Sequence, residues 1–136
     1  RLHGVALPVK DIDLEMGVEE AYRFQEIFDE FTVDAVAFRE SETYRSHFGR
    51  FNVRGVIVEV MGDLHRREGD RWVPTFTTTG QQLDVEGVPV WVSWLEEGVL
   101  AYIRRGRLDR AAACLSRCDH ARLTGLLKRI EDLNVI

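Results

Sequence analysis

The stretch VKDIDLEM (residues 9–16) sets two aspartates one residue apart inside an apolar run. Ile12, Leu14 and Met16 alternate with Asp11, Asp13 and Glu15, a period of two that predicts a β-strand although aspartate is a poor strand former. Side chains alternate across a strand, so the three carboxylates share one face and the three apolar side chains point the other way, toward a core. Asp11 and Asp13 are then about 7 Å apart at Cα, from a rise of roughly 3.3 Å per residue. Their oxygens can converge on one divalent ion, or on two ions about 3.5–4 Å apart. Without a cation the pair repels.

A second run, VIVEVMGD (56–63), is the most β-prone in the chain and carries Glu59 between Val58 and Val60. A glutamate in mid-strand is expensive unless it is paired or coordinates something. If the two strands are neighbours, Glu59 completes a three-carboxylate cluster with Asp11 and Asp13. Such clusters serve phosphoryl and nucleotidyl transfer, and Mg²⁺ is the usual partner of carboxylates that leave room for water and substrate phosphates. Either acidic element alone also has a plain reading, as a solvated strand face.

Between and beyond these runs the pattern is that of a small mixed α/β (α+β) domain. GVEEAYRFQEIFDEF (17–31) places Ala21, Phe24, Ile27, Phe28 and Phe31 at helical spacing. VDAVAF (33–38) predicts a strand. ESETYRSHFGRFNVRG (40–55) reads as a polar, partly strand-like connection with Gly49 and Gly55 as turn signals. LHRREGDRW (64–72) reads as a polar loop, and LDVEGVPVWV (83–92) as a hairpin turning at Glu86-Gly87 with Pro89 at an edge. From Ser93 the period changes to that of helices. SWLE is a capping box with Ser93 as N-cap and Glu96 three residues on. Leu95, Val99, Tyr102 and Ile103 form one apolar seam that stops at Gly106. A second helix carries Leu108, Ala111, Ala112 and Leu115. A third carries Leu123, Leu126, Leu127, Ile130 and Leu133, capped by Asp119. The expected organisation is one domain, an α/β core over 1–92 with C-terminal helices over 93–136 packing on it.

Composition narrows the function. With 136 residues, 45% apolar and 30% charged, the chain is an ordinary globular domain with one real core. Eighteen basic against twenty-three acidic residues give a net charge of −5, which argues against sequence-independent nucleic-acid binding over the whole surface. No apolar run reaches the roughly 20 residues a membrane helix needs, and no signal peptide is visible. Cys114 and Cys118 lack the further Cys/His pair of a zinc site, and read as reduced thiols of a cytoplasmic protein.

LHGVALPVKDIDLEM, ESETYRSHFGRFNVRGVIVEVMGDL and GVPVWVSWLEEGVLAYIRRGR together resemble the small bacterial and archaeal nucleotidyltransferase-like proteins of the DNA polymerase β superfamily. The resemblance spans most of residues 1 to about 110 and is strongest at D-I-D-L and V-E-V-M-G-D. It implies a metal-dependent transfer of a nucleoside monophosphate from an NTP such as ATP to an acceptor hydroxyl. Asp11, Asp13 and Glu59 map onto the catalytic and metal-binding carboxylates, with Mg²⁺ or Mn²⁺ as cofactor. Tyr102 and Arg107 match the family's AY…GR pattern and, with Arg45 and Arg50, are candidate nucleotide contacts. The family's Gly-Ser or Gly-Gly phosphate-holding turn does not occur in the ten residues before Asp11, which contain only Gly4. The expectation is that the domain begins upstream of Arg1.

The acceptor is open at this level: a protein, a tRNA end or a small molecule. Two rivals accompany the transferase, a catalytically degenerate interaction module such as a toxin–antitoxin component, and an antibiotic-modifying transferase. His47 is conceivable as a general base, though a metal-activated acceptor makes one unnecessary. Arg104, Arg105, Arg107 and Arg110 also suit the negative end of a helix. Trp72, Trp91 and Trp94 read as core or partner-surface residues rather than a base-stacking platform. The last helix packs in cis or forms a homodimer contact.

Overall fold

The computed structural model describes residues 2–75 and 80–134, with side chains up to 129. Two compact units emerge, Val9–Phe76 and Arg1–Pro8 together with Thr77–Ile136. No described helix is long and apolar enough to cross a membrane.

The first unit is a five-stranded sheet with one helix. Strand β1 (Asp11–Met16) leads into helix α1 (Val18–Ile27) and a 3₁₀ turn (Asp29–Phe31). Then come β2 (Thr32–Glu40), β3 (Tyr44–Val53), β4 (Val56–Glu68) and β5 (Arg71–Pro74). The order is β1-β4-β3-β2, with β5 also on β4. The β1–β4 pair is parallel and the other pairs are antiparallel. Ala21, Val36, Phe51, Val58 and Val60 form the buried core, with Leu14, Met16, Phe24, Phe28 and Phe31 packed against it. Phe24 stands edge-on to Phe51 at 5.0 Å and stacks on Phe28 at 4.4 Å. Of the apolar residues expected to face inward from β1 and α1, two escape this core. Ile12 is 45% exposed, one residue into the strand, and Ile27 is 65% exposed because α1 ends there.

Two segments are more regular than expected. Residues 44–53 form a full strand, and Gly49 lies inside it rather than at a turn. A Cβ on Gly49 would sit 2.6 Å from Val36 Cγ2 and 3.3 Å from a Phe51 ring carbon, so this glycine lets β2 and β3 close over the core. The expected loop LHRREGDRW is the outer half of β4, a two-residue turn at Gly69-Asp70 and the start of β5. Where β4 changes partners on its β1 edge, its pairing with β3 slips. His47 faces Gly62 while Arg45 faces His65, so β4 holds one extra residue, and Asp63 has φ +52°. This is a β-bulge.

In the second unit, β6 (Gln81–Val85) and β7 (Val88–Val92) form the hairpin, with positive φ at Glu86 and Gly87 as a type I′ turn requires. Helices α2 (Leu95–Arg104), α3 (Leu108–Leu115) and α4 (His120–Asn134) follow. The capping box at Ser93 does not form: the N-cap of α2 is Trp94, and no side chain caps it. Glu96 is buried and accepts the Asp119 N–H and an Arg122 guanidinium bond at 3.5 Å, so it is spent on the start of α4. Gly106 (φ +68°) ends α2 as expected. Its N–H bonds Ile103 O at 3.0 Å and the Arg107 N–H bonds Tyr102 O at 2.8 Å, a Schellman closure. The buried face of α3 is Ala111 and Cys114, continued by Cys118, packed with Val5 and Val99, while Leu108 and Leu115 are exposed. Both cysteines are free thiols, and burial pushes their pKa up. In α4, Leu123 packs on this core and Leu127 is exposed, while the Ile130 and Leu133 side chains lie outside the described residues.

Asp119 caps α4, its Oδ1 accepting the Arg122 N–H at 2.8 Å. That bond is the main cause that holds its carboxyl below the ordinary value of 3.8; burial opposes it, and the Arg122 charge and the Ala121 N–H add to the lowering. A carboxyl with a lowered folded-state pKa stabilises above its unfolded value and loses that contribution as pH falls through the folded one. Asp119→Ala should therefore lower the thermal midpoint at pH 7, and the gap from the unsubstituted protein should close on titration to below 3.8, followed by circular dichroism. Gly49→Ala should destabilise by about 1–3 kcal/mol in urea unfolding, the usual effect of forcing a methyl group into a packed core.

Candidate functional site

Register assembles the acidic face. Asp11 lies opposite Ile57, Asp13 opposite Glu59 and Glu15 opposite Met61, while Leu14 and Met16 oppose Val60 and Gly62 on the side covered by α1. The carboxylates of Asp11 and Asp13 thus emerge with Glu59 from the sheet face opposite α1. One ligand oxygen from each of Asp11, Asp13 and Glu59 can be chosen such that all three lie within 4.8 Å of one another. Asp11 and Asp13 are exposed and the Glu59 side chain is 21% exposed, so the cluster opens to solvent.

The same register carries a row across the sheet. Glu59 pairs with Arg50 on β3, and Arg50 pairs with Asp34 on β2. Arg50 donates from Nε at 3.0 Å and Nη2 at 2.7 Å to Glu59 Oε1, and its Nη1 lies 3.5 Å from Asp34 Oδ2. The Glu59 bond, then the Glu59 charge, raises the guanidinium pKa further. The row therefore reads acid, acid, base, acid from β1 to β2. Sequence reasoning missed Asp34, although an acid between apolar neighbours in a strand is the same signal that marked Glu59.

Two other candidates of this unit, His47 and Arg45, lie on the opposite side of the sheet. His47 sits on the α1 side, its Nδ1 2.9 Å from the Tyr22 hydroxyl and its ring edge-on to Phe38, so it does not face the carboxylates. Arg45, two residues away on the same side of β3, stacks over Trp72 at 4.9 Å. Tyr102 and Arg107 belong to the second unit, where Arg110 lies 5.9 Å over the Tyr102 ring. There Trp94 carries Arg122 at 3.7 Å and Trp91 is 59% exposed.

Among solved structures, that of a "putative nucleotidyltransferase" from Thermotoga maritima matches with a TM-score of 0.72 at 34% identity, over 82% of this chain and 71% of that one. The chain belongs to the nucleotidyltransferase-like family. No protein-family model matches the sequence, and no curated protein does so.

In this nucleotidyltransferase-like chain the donor set suits a hard divalent cation. All three candidate ligands are carboxylates, with no sulfur or imidazole among them, and the open side leaves room for retained water and substrate oxygens. Three like charges so close repel, and Arg50 offsets only part of that repulsion. A cation that binds the folded chain should stabilise it, by about 2.7 kcal/mol at a free concentration 100-fold above its Kd. Mg²⁺ or Mn²⁺ should therefore raise the melting temperature and a chelator should reverse the shift. Asp13→Asn should abolish the response.

Proposed function

We propose that the chain is a Mg²⁺-dependent nucleotidyltransferase that moves a nucleoside monophosphate from an NTP to an acceptor hydroxyl. What carries this reading is the in-register placement of Asp13 beside Glu59, with Asp11 one step along, on an open sheet face of a nucleotidyltransferase-like chain. Asp11 and Asp13 would hold the cation, and Glu59 would complete its site. The bound metal, Mg²⁺ or Mn²⁺, supplies positive charge against the triphosphate and the developing negative charge of transfer.

The reaction forms a bond between the acceptor oxygen and the α-phosphorus and breaks the bond from that phosphorus to the departing pyrophosphate. The acceptor's proton passes to water at the open side of the cluster, where Asp11 and Asp13 are exposed. Of the two sequence-predicted nucleotide contacts in this unit, Arg45 and Arg50, Arg50 is the one on this face, and it is engaged with Glu59 and Asp34. The acceptor belongs to one of three classes, a protein side chain, a tRNA end or a small molecule. A cytoplasmic location suits the two buried thiols.

Calorimetric titration of ATP, GTP, CTP and UTP with Mg²⁺ should show metal-dependent binding of at least one nucleotide by the unsubstituted protein and none by Asp13→Asn. With the acceptor found, Asp13→Asn should lower kcat/KM by about 10³-fold, the several kcal/mol that a metal contributes to charge stabilisation. Binding that ignores the metal, or survives the substitution, overturns the proposal and turns the search to protein partners.

A further inference from the structure

We infer that Arg50 is a positioning residue for Glu59: its fork on one carboxylate oxygen, braced by Asp34, fixes the orientation in which Glu59 joins Asp11 and Asp13 at the metal. This rests on the function proposed above.

Glu59 has the longest and most flexible side chain of the three carboxylates, and on its own it would sample several rotamers at a half-open strand surface. Arg50 removes that freedom. Its Nε and Nη2 both donate to Glu59 Oε1, at 3.0 and 2.7 Å, from a rigid planar group. The guanidinium is itself held. Nη1 lies 3.5 Å from Asp34 Oδ2, Asp34 Oδ1 lies 4.0 Å from Arg39, and the Phe48 ring sits 5.7 Å from Arg50 Cζ and 5.6 Å from Arg39 Cζ. Arg50, Glu59 and Asp34 occupy matched positions on three adjacent strands, so the sheet fixes their spacing.

Two physical effects of Arg50 on metal affinity have opposite signs. A positive charge beside the ligands opposes a cation, so removing it should tighten binding. Orienting a ligand favours binding, and loss of such a hydrogen-bond partner typically weakens a metal site about 10–100-fold. Arg50→Lys separates them, because it keeps the charge and loses the fork. Positioning predicts Mg²⁺ or Mn²⁺ binding at least about 10-fold weaker for Arg50→Lys by calorimetry, with far-UV circular dichroism unchanged. Asp34→Asn, two strands from Glu59, should move affinity the same way by less, and it serves if Arg50→Lys does not fold. Unchanged or tighter metal binding in these variants overturns the inference and leaves Arg50 as a counter-charge or a competitor. If the unsubstituted protein binds the metal and Asp13→Asn does not, that outcome sinks this inference alone. Absence of metal binding by the unsubstituted protein removes the proposed function and the inference together.

Discussion

Everything chemical in this chain depends on one pairing, the parallel ladder that sets Asp13 beside Glu59. A strand has a side-chain period of two, so a slip of one residue would turn Leu14 and Met16 to water and three carboxylates into the core. The slip is prevented from the other side. Phe24 on α1 and Phe28 at its C-cap pack against the face formed by Leu14, Met16, Val58 and Val60, and burial of that face fixes the register. The hydrophobic effect is non-directional, but through the ladder it places carboxylate oxygens within 4.8 Å of one another.

The acidic face is locally unfavourable and survives because the rest of the sheet compensates. Directly opposed like charges destabilise a sheet pair. Exposure of Asp11 and Asp13 lets water screen them, and Glu59, the most enclosed of the three, is the one given a guanidinium. Asp34 in turn gives Arg50 a second carboxylate on its far side. The arrangement is a chain of partial neutralisations that leaves net negative charge where a cation would sit.

How much of this was legible follows the same logic. The alternation in DIDLEM and VIVEVM was enough for two strands and for the three carboxylates, because one face of each strand is apolar. The hairpin at Glu86-Gly87 and the stop at Gly106 were legible because positive φ leaves a residue signature. Strand β3 was legible only as a polar, strand-like connection, since its inward positions include His47 and Gly49, which erase the apolar period. Beyond Leu64 the outer half of β4 is polar on both sides and gives no period, although Gly69-Asp70 is itself a hairpin signal. The local SWLE pattern was overruled by tertiary structure, because Glu96 meets the start of α4 instead. On α3 the expected face of Leu108, Ala111, Ala112 and Leu115 is buried at Ala111, but the small Cys114 is buried where the leucines are exposed. The pairing of Arg50 with Asp34 was not legible, because cross-strand partners depend on register.

The bulge at Asp63 acts as a change of parity. Counted straight from Glu59, His65 and Arg67 fall on odd positions and would stand on the same face of the sheet as the carboxylates. With one residue added to β4, His65 pairs with Arg45, and Arg67 pairs with Trp72, on the side of the sheet that α1 covers further down. The extra residue thereby keeps an imidazole and a guanidinium off the acidic face and turns Arg66, ion-paired with Glu68, toward that side instead. Which surface a side chain serves along this strand is thus decided by whether it precedes or follows residue 63.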